Sequence, residues 1–253
     1  MAPLAIGFVF LAIWEVAVRR LGVPSYILPG PLLILRTLMT DWGSLAVSLW
    51  VTLEITLLSL LAAVVVGGLL AILFTQSKWI ELSLFPYAVI LQVTPIVAIA
   101  PLIIVWVDDT MTSLLVCAWI VAFFPILSNT ILGLNSADRN LVDLFKLYGA
   151  SRWQTLLYLR LPAALPYFLG GLRISGGLAL IGAVVAEFVA GTGGNASGLA
   201  FRILEAGYQL KVPLMFAALV LVSASGIAIF LVLTLVSHLL LRRWHDSALK
   251  REG

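Results

Sequence analysis

Four stretches of this chain each run for more than twenty residues without a charged side chain. A helix that crosses the hydrocarbon core of a bilayer needs about 20 mainly apolar residues, so each stretch is long enough to span a membrane. About half the surface of a soluble domain must face water, which leaves such a domain no place for four such stretches. The sequence therefore predicts that lipid is the main solvent of residues 55–77, 82–107, 110–137 and 212–241.

Two further apolar windows contain a few charges. Residues 3–21 include Glu15, and residues 167–190 include Arg173 and Glu187. Hydrophobic residues make up 62% of the chain and charged residues 11%, against roughly 45–50% and 25% in soluble domains. The apolar tracts are unbroken rather than alternating, which excludes the strands of a β-barrel. We expect an all-α, multi-pass membrane protein with about six transmembrane helices in a single domain, residues 1–253.

The distribution of Lys and Arg predicts the orientation. The first window has its positive charges after the apolar segment, which favours an uncleaved first helix over a signal peptide. With six spans, both termini lie on one side, and cytoplasmic loops carry an excess of Lys and Arg. The side of the termini holds nine such residues, namely Lys78, Arg139, Lys146, Arg152, Arg160, Arg242, Arg243, Lys250 and Arg251. The other holds five, namely Arg19, Arg20, Arg36, Arg202 and Lys211, so both termini are predicted to be cytoplasmic.

The predicted cytoplasmic loop 138–164 has the pattern of two short helices. Apolar residues at 141, 144, 145 and 148 form one helical stripe, and Gly149 is a typical left-handed stop after it. Ser151 with Gln154 matches a capping box that starts a second helix, which we expect Pro162 to end. From pattern alone, such a pair is as consistent with an element resting on lipid headgroups as with a docking element.

The spacing within this loop is similar to the cytoplasmic "EAA" loop of binding-protein-dependent ABC importer permeases of type I. That loop has Glu-Ala-Ala, then Gly after three residues, then Ile-x-Leu-Pro after nine more. Here Asp143, Leu144 and Phe145 stand at the Glu-Ala-Ala positions, so only the acidity is kept, whereas Gly149 and Pro162 match. The resemblance implies that contacts to a cytoplasmic ATPase are made by Asp143, Leu144, Phe145, Lys146, Gly149, Ala150, Ser151 and Pro162.

Other segments resemble the nitrate, sulfonate and taurine subgroup of these permeases, over most of residues 28–243. They are Leu28-Pro29-Gly30-Pro31, residues 123–130, Gly171-Leu172-Arg173-Ile174 and Ala186-Glu187. The resemblance implies a membrane subunit that forms a dimer, expected to be a homodimer, in the bacterial inner membrane. It also implies an extracytoplasmic solute-binding protein and separate ATP-binding subunits as partners, with membrane lipid around the spans.

The chain carries no residue pattern for chemistry of its own. It lacks the Gly-x-x-x-x-Gly-Lys-Ser/Thr loop that binds ATP phosphates, so we expect ATP to be hydrolysed by a partner and no cofactor to be bound here. His238 and the single cysteine, Cys117, have no spacing that suggests a metal site or a nucleophile. No basic run suits nucleic acid. We predict a transport protein that is not an enzyme.

Polar residues inside membrane spans are costly and usually face a cavity or a partner. On this ground we predict a translocation pathway or gate formed by Glu54, Gln92, Thr94, Pro95, Asn129 and Glu187. Each has a plainer alternative. Glu54 can be an interfacial carboxylate, Pro95 and Pro101 can simply kink a helix, and Asn129 can bond a neighbouring helix. For Glu187, a gate or binding-protein contact and a structural partner on another helix are equally compatible with the sequence.

The solute is open at this stage. The subgroup handles sulfonates, taurine and nitrate-like anions, and related permeases import pyrimidine vitamin precursors and riboflavin. The acids Glu54 and Glu187 mildly favour a zwitterionic or neutral organic solute over a bare anion. The alternative function is an ATP-independent secondary transporter or channel, against which stand the lack of an inverted repeat and the two-helix cytoplasmic insert.

Overall fold

The computed structural model describes residues 2–191 and 197–242, and these parts of the chain contain helices and no strand. The first six helices are α1 (Ala2–Arg20), α2 (Pro31–Thr40), α3 (Trp42–Gln76), α4 (Lys78–Val93), α5 (Ile96–Trp106) and α6 (Thr110–Leu134). The remaining helices are α7 (Arg139–Leu147), α8 (Arg152–Thr155), a π-helical turn (Leu156–Arg160), α9 (Leu161–Ala190), α10 (Leu199–Tyr208) and α11 (Val212–Leu241). The tail 243–253, with three of the cations counted above, lies outside the described residues.

Among the described helices, four are long and apolar enough to cross a membrane. They are α3, α6, the continuous helical segment Arg152–Ala190 and α11, and the bent pair α4 and α5 brings the number to five if it forms one span. The first predicted window forms α1, a helix of 19 residues. The all-helical, multi-pass architecture is therefore confirmed, while the number of six spans stays a prediction.

Two predicted spans differ from the structure. The helix expected over 55–77 begins at Trp42, so Glu54 lies well inside α3 and not at its start. The segment 82–107 is not one helix, because α4 and α5 meet at an angle of 102°. Pro95 has no N–H to donate to a continuing helix, and it favours an extended conformation for Thr94, whose ψ is 122°. The two residues therefore form a break.

The chain divides into two compact units, of which the first comprises Met1–Glu54 and Val184–Ser225. Its core consists of buried side chains from the sequence-distant segments that form it, namely Ile34, Leu45, Leu199, Ala217, Ala218 and Leu221. The indole of Trp14 in α1 packs on Phe216, with the ring centroids 6.2 Å apart. This core fixes α10 beside α2 and the first turns of α3.

The second unit comprises Ile55–Ala183 and Gly226–Gly253. Its core is built around α6, in which Phe123, Ile126 and Leu127 are almost fully buried. Gly171 of α9 passes so close to the carbonyl of Pro125 in α6 that an added Cβ would lie 2.7 Å from that oxygen. Small residues at such crossings allow helix backbones to approach each other in membranes, where packing drives association.

Candidate functional site

Helix α7 of the predicted cytoplasmic loop is capped at both ends. At its start, the Asp138 side chain accepts a hydrogen bond of 2.8 Å from the backbone N–H of Asn140. At its end, Gly149 has a φ of +72°, and the N–H of Ala150 donates to the carbonyl of Phe145 over 2.9 Å. A left-handed glycine that redirects the chain is a common helix stop. The predicted end of this helix at Gly149 agrees with this geometry.

The apolar face of α7 is uncovered. No residue of the helix is buried, and Leu147 and Tyr148 are each 84% exposed. Leu141 and Leu144 lie on the same side and are 44% exposed, whereas Val142 and Phe145 are half-buried. We call the exposed set, Leu141, Leu144, Leu147 and Tyr148, the docking face. Contiguous exposed apolar surface of this kind usually marks a contact site.

Asp143, the one acid kept from the Glu-Ala-Ala pattern, lies beside the docking face. Its carboxylate pairs with the ammonium of Lys146 one turn later, at 2.8 Å, and both side chains are about two-thirds exposed. Such an exposed pair contributes less than about 1 kcal/mol to folding. Asp143 is therefore free to exchange this partner for another cation without loss of the helix.

The predicted capping box is present at the start of α8. The N–H of Gln154 donates to the Ser151 hydroxyl over 3.2 Å, and the N–H of Ser151 donates to the Gln154 amide oxygen over 2.7 Å.

The expectation that Pro162 ends this second helix is wrong. The chain continues through the π-helical turn into α9, so α8 and the membrane helix form one continuous segment. Pro162 removes one backbone donor, and a π-helical turn widens the helix where a regular bond is missing.

Three of the predicted pathway residues lie together at the break between α4 and α5. Gln92 and Pro95 are exposed, and Gln92 has no hydrogen-bond partner among residues 2–191 and 197–242. The hydroxyl of Thr94 donates to the carbonyl of Ile90 over 2.7 Å, which ends α4. The break leaves a polar, bent segment within an otherwise apolar stretch.

Asn129 lies in α6, apart from this break in sequence. Its side-chain amide donates to the carbonyl of Pro125 over 2.9 Å, so its hydrogen bond stays within its own helix. A Cβ added to Gly171 would lie 3.0 Å from the Cβ of Asn129, so α9 passes over this residue. Asn129 thus sits at a close helix crossing.

Glu54 differs from the other acid of the predicted pathway in its surroundings. It is exposed in the interior of α3, and it forms no ion pair or hydrogen bond within the described part of the chain. A carboxylate in a membrane helix without a partner is expected to face water or another chain.

Glu187 is the opposite case, a carboxylate that is 1% exposed. Its Oε1 accepts a hydrogen bond of 2.7 Å from the hydroxyl of Thr52 in α3, and its Oε2 accepts one of 2.8 Å from the N–H of Ala200 in α10. The Thr52 hydroxyl in turn accepts from the N–H of Leu199 over 2.9 Å. One carboxylate and one hydroxyl thus take up backbone donors of the first turn of α10.

This arrangement replaces an ordinary helix cap. The N-cap position of α10 is Gly198, which has no side chain to accept a hydrogen bond. A Cβ at Gly198 would collide with the Glu187 carboxyl group, so glycine is required there for the acid to reach the helix. A carboxylate at a helix N-terminus is favoured by the free N–H groups and by the helix dipole. We call Glu187, Thr52 and Gly198 the α10 anchor.

A second contact ties α10 to α3. The guanidinium of Arg202 donates to the hydroxyl of Ser48 over 3.1 Å and pairs with Glu205 at 2.8 Å. Ser48 and Thr52 are fully buried, although the sequence interpretation named neither. The signal was present as hydroxyl side chains four residues apart in an apolar helix, a spacing that places both on one face. Hydroxyl residues with this spacing are enriched where membrane helices pack.

Comparison with known proteins connects this arrangement to one family. Residues 63–246 match the family model described as binding-protein-dependent transport system inner membrane component. The chain is 36% identical to a probable ABC transporter permease protein of Haemophilus influenzae, over 91% of this chain and 92% of the relative. It is 35% identical to a riboflavin transport system permease protein of Chloroflexus aurantiacus, over 94% and 87% of the two chains.

A solved structure supports the same fold. The chain of an amino acid ABC transporter, crystallised with histidines, superimposes with a TM-score of 0.64 at 17% identity, over 81% of this chain and 96% of that one. At this identity the match concerns the fold alone. The family match covers the membrane helices from residue 63 onward and the loop that carries α7, and it supports an ABC permease over the ATP-independent alternative. The chain belongs to the family of binding-protein-dependent transport system inner membrane components and is a permease subunit of an ABC importer of the inner membrane.

Proposed function

We propose that helix α7 transmits the ATP-driven movement of a cytoplasmic ATPase to the membrane helices of this permease. The observation that carries the proposal is the docking face, four apolar side chains left uncovered on a helix that is capped at both ends. A few well-packed side chains near the centre of an interface provide most of its binding energy, and tyrosine, here Tyr148, is among the most frequent of them. Asp143 lies beside them and supplies a charge for a cation of the ATPase, which would fix the register of the contact.

A coupling element must also transmit the movement it receives. Asp138 and Gly149 fix the ends of α7, and Ala150 and Ser151 lead directly into the capping box of α8. From α8 the helical segment continues without interruption into α9. A displacement of α7 is therefore passed on to a membrane helix through a short, hydrogen-bonded connection rather than through a loose loop. ATP-driven closure of the ATPase would then favour one state of the membrane helices over the other.

For the pathway, the exposed polar residues are the stronger candidates. Glu54 and Gln92 lie in apolar helices without a partner in the described chain, which favours a water-filled cavity or a second copy of the permease around them. The break at Thr94 and Pro95 is of the kind tolerated where backbone lines a cavity. Asn129 and Glu187 have partners within the chain, and we assign them to the positioning of helices that border the pathway.

We further propose a homodimer with both termini in the cytoplasm, so that α7 faces the ATPase and the segment 22–30 faces the binding protein. As solute we favour a small organic molecule of the vitamin or vitamin-precursor class. The relatives include permeases for riboflavin and for formylaminopyrimidine, which are 35% and 32% identical over 94% and 95% of this chain. The uncompensated carboxylate of Glu54 disfavours a bare anion such as nitrate in the same cavity.

The solute proposal is tested by transport in proteoliposomes that contain the permease, its ATPase and its binding protein. We expect ATP-dependent uptake of riboflavin or of a formylaminopyrimidine, and none of nitrate or taurine. Glu54→Gln and Gln92→Ala should change the uptake rate, while Arg36→Gln, an exposed residue of α2, serves as the control. Uptake of nitrate alone would overturn the assignment of an organic solute. Uptake that survives both pathway substitutions at the wild-type rate would overturn the assigned pathway.

A further inference from the structure

A polar cavity of about 380 Å³ lies between α7, the π-helical turn and the last residues of α3. Three cationic side chains, those of Lys146, Arg152 and Arg160, line it together with the polar residues Thr75 and Gln76. A second cavity, of about 280 Å³, shares Lys146 and Arg160 and adds Arg139. The two cavities thus bring four cations of the second unit into one region.

The positive charge of this region is not balanced within the described residues. Asp143 is the one acid that lines either cavity, and its carboxylate is already paired with Lys146 at 2.8 Å. Arg139, Arg152 and Arg160 form no ion pair in the part of the chain that the structure describes. The first cavity has no carboxylate among the described residues that line it, and cationic side chains that converge on such a cavity are suited to an anion, since a guanidinium group can donate two hydrogen bonds to a phosphate.

An apolar groove begins one helical turn further along the same helical segments. It has a volume of about 440 Å³, and its walls are Val65, Gly68 and Ile72 of α3 and Leu161, Leu165 and Phe168 of α9. In sequence, Ile72 precedes Thr75 by one turn, and Leu161 directly follows Arg160. In both segments, therefore, the residues that line the cationic cavity are followed directly by residues that line the apolar groove. Both segments are long enough to span the membrane.

We propose that this region binds one anionic phospholipid, with the phosphate headgroup in the cationic cavity and an acyl chain in the groove. A soluble phosphate would use only the cations, and a second copy of the chain would use only the groove. A phospholipid has an anionic phosphate followed by apolar acyl chains, which matches the cationic cavity followed by the apolar groove. Basic pockets between membrane helices near the cytoplasmic surface are suited to such headgroups.

The lipid would also have a place in the mechanism. Its headgroup would lie against Lys146 of α7 and against Arg152 and Arg160, which connect α7 to α9. It would thereby brace the connection between the coupling helix and a membrane helix. The binding itself does not depend on transport, so it is measured on the permease directly.

The test is native mass spectrometry of the purified, detergent-solubilised permease, titrated separately with phosphatidylglycerol, phosphatidylcholine and inorganic phosphate. We expect phosphatidylglycerol to be retained in preference to phosphatidylcholine. Each lost cation should weaken retention about five-fold, so Arg152→Gln/Arg160→Gln should lower it roughly twenty-five-fold. Lys78→Gln is the control, because Lys78 is exposed, lies on the same predicted side and lines neither cavity.

A second variant tests the groove. A Cβ added at Gly68 would meet nothing within 4 Å, and Gly68 lines the groove, so we expect Gly68→Leu to place its side chain in the groove without a backbone collision. The matched control is Gly177→Leu in α9, where the space is equally open but lies outside the groove. We expect Gly68→Leu to weaken the retention of phosphatidylglycerol and Gly177→Leu to leave it unchanged. All variants are first compared with the wild type by size-exclusion chromatography, so that a folding defect is recognised.

Three results would overturn the proposal. Equal retention of the two phospholipids would show that the cavity does not select a charge. Inorganic phosphate could bind while the retained phosphatidylglycerol stays unchanged, and Gly68→Leu could retain this lipid like the wild type. These two results together would identify a soluble anion as the ligand of the cavity. A change from dimer to monomer in Gly68→Leu, without loss of lipid, would identify the groove as a contact between two copies of the chain.

Discussion

The hydroxyl of Thr52 donates a hydrogen bond of 2.7 Å to the carboxylate of Glu187, although 135 positions separate the two residues. The same hydroxyl accepts the N–H of Leu199, and the same carboxylate accepts the N–H of Ala200. Two side chains from α3 and α9 therefore complete the first turn of α10. Because all these atoms are buried, the loss of either side chain leaves donors of α10 without an acceptor.

Thr52→Val should destabilise the protein by about 1–3 kcal/mol, since it keeps the shape of the side chain but removes the acceptor of the Leu199 N–H and one donor to the Glu187 carboxylate. The measurement is the thermal or denaturant-induced unfolding of the detergent-solubilised protein. The control is Thr234→Val in α11, where the buried hydroxyl has no hydrogen-bond partner among the residues that the structure describes. That substitution should be neutral or stabilising. Equal effects of the two substitutions would contradict the α10 anchor.

Gly198→Ala should displace the Glu187 carboxylate, because the new methyl group would occupy its position. Overpacking of this kind costs about 1–3 kcal/mol. The φ of Gly198 is −79°, so the backbone itself accepts alanine, and the effect is a collision alone. Limited proteolysis near α10 would report the loss of the anchor. Gly177→Ala, with open space around the new methyl group, should behave as the wild type, and a similar sensitivity of both variants would argue against the collision.

Gly149→Val should abolish solute uptake while membrane insertion is retained. A β-branched residue is disfavoured at the φ of +72°, so the chain can no longer leave α7 in the direction of α8. Gly149→Asn should restore much of the uptake, because asparagine tolerates the left-handed conformation. The readout is ATP-dependent uptake, normalised to the amount of permease in the membrane. Wild-type uptake by the valine variant would exclude a rigid connection between α7 and α8.

Asp143→Lys should weaken the binding of the ATPase without loss of folding. The ion pair with Lys146 is exposed and contributes little to stability, whereas a reversed charge at an interface costs affinity. Recovery of the ATPase with the tagged permease is the readout, at low and at high salt. Asp108→Lys, an exposed acid in the short connection after α5, is the control. If both variants recovered the ATPase equally, Asp143 would have no part in the contact.

The sequence predicted the structure correctly where the preferences of neighbouring residues decide it. The charge-free stretches predicted membrane helices, Gly149 predicted the end of α7, and Ser151 with Gln154 predicted the capping box, because each of these is a local preference. Pro162 was misjudged, since a proline near the start of a long helix is compatible with that helix once a π-helical turn precedes it. Pro95 has no backbone N–H, and this local property both suggested a kink in the sequence and explains the larger break of 102° between α4 and α5.

What the sequence did not provide is the pairing of distant side chains. The α10 anchor requires Thr52, Glu187 and Gly198 to meet, and no spacing along one helix records that meeting. The four-residue spacing of Ser48 and Thr52 in α3 is compatible with a packed face, but it carries no information on the partner of that face. In the same way, the cations of the loop counted toward orientation, while their convergence on one cavity emerged only from the fold of α7 beside α3.

The central claim is that the docking face of α7 binds the ATPase, and the most direct measurement is recovery of that ATPase from membranes with a tagged permease. Leu144→Glu/Tyr148→Glu should reduce the recovery at least ten-fold, because it introduces charge at the centre of an apolar contact. Tyr26→Glu, which adds a carboxylate at an exposed tyrosine on the predicted opposite side, should leave recovery unchanged. Undiminished recovery with the α7 variant, in a protein that is still inserted and folded, would contradict the claim.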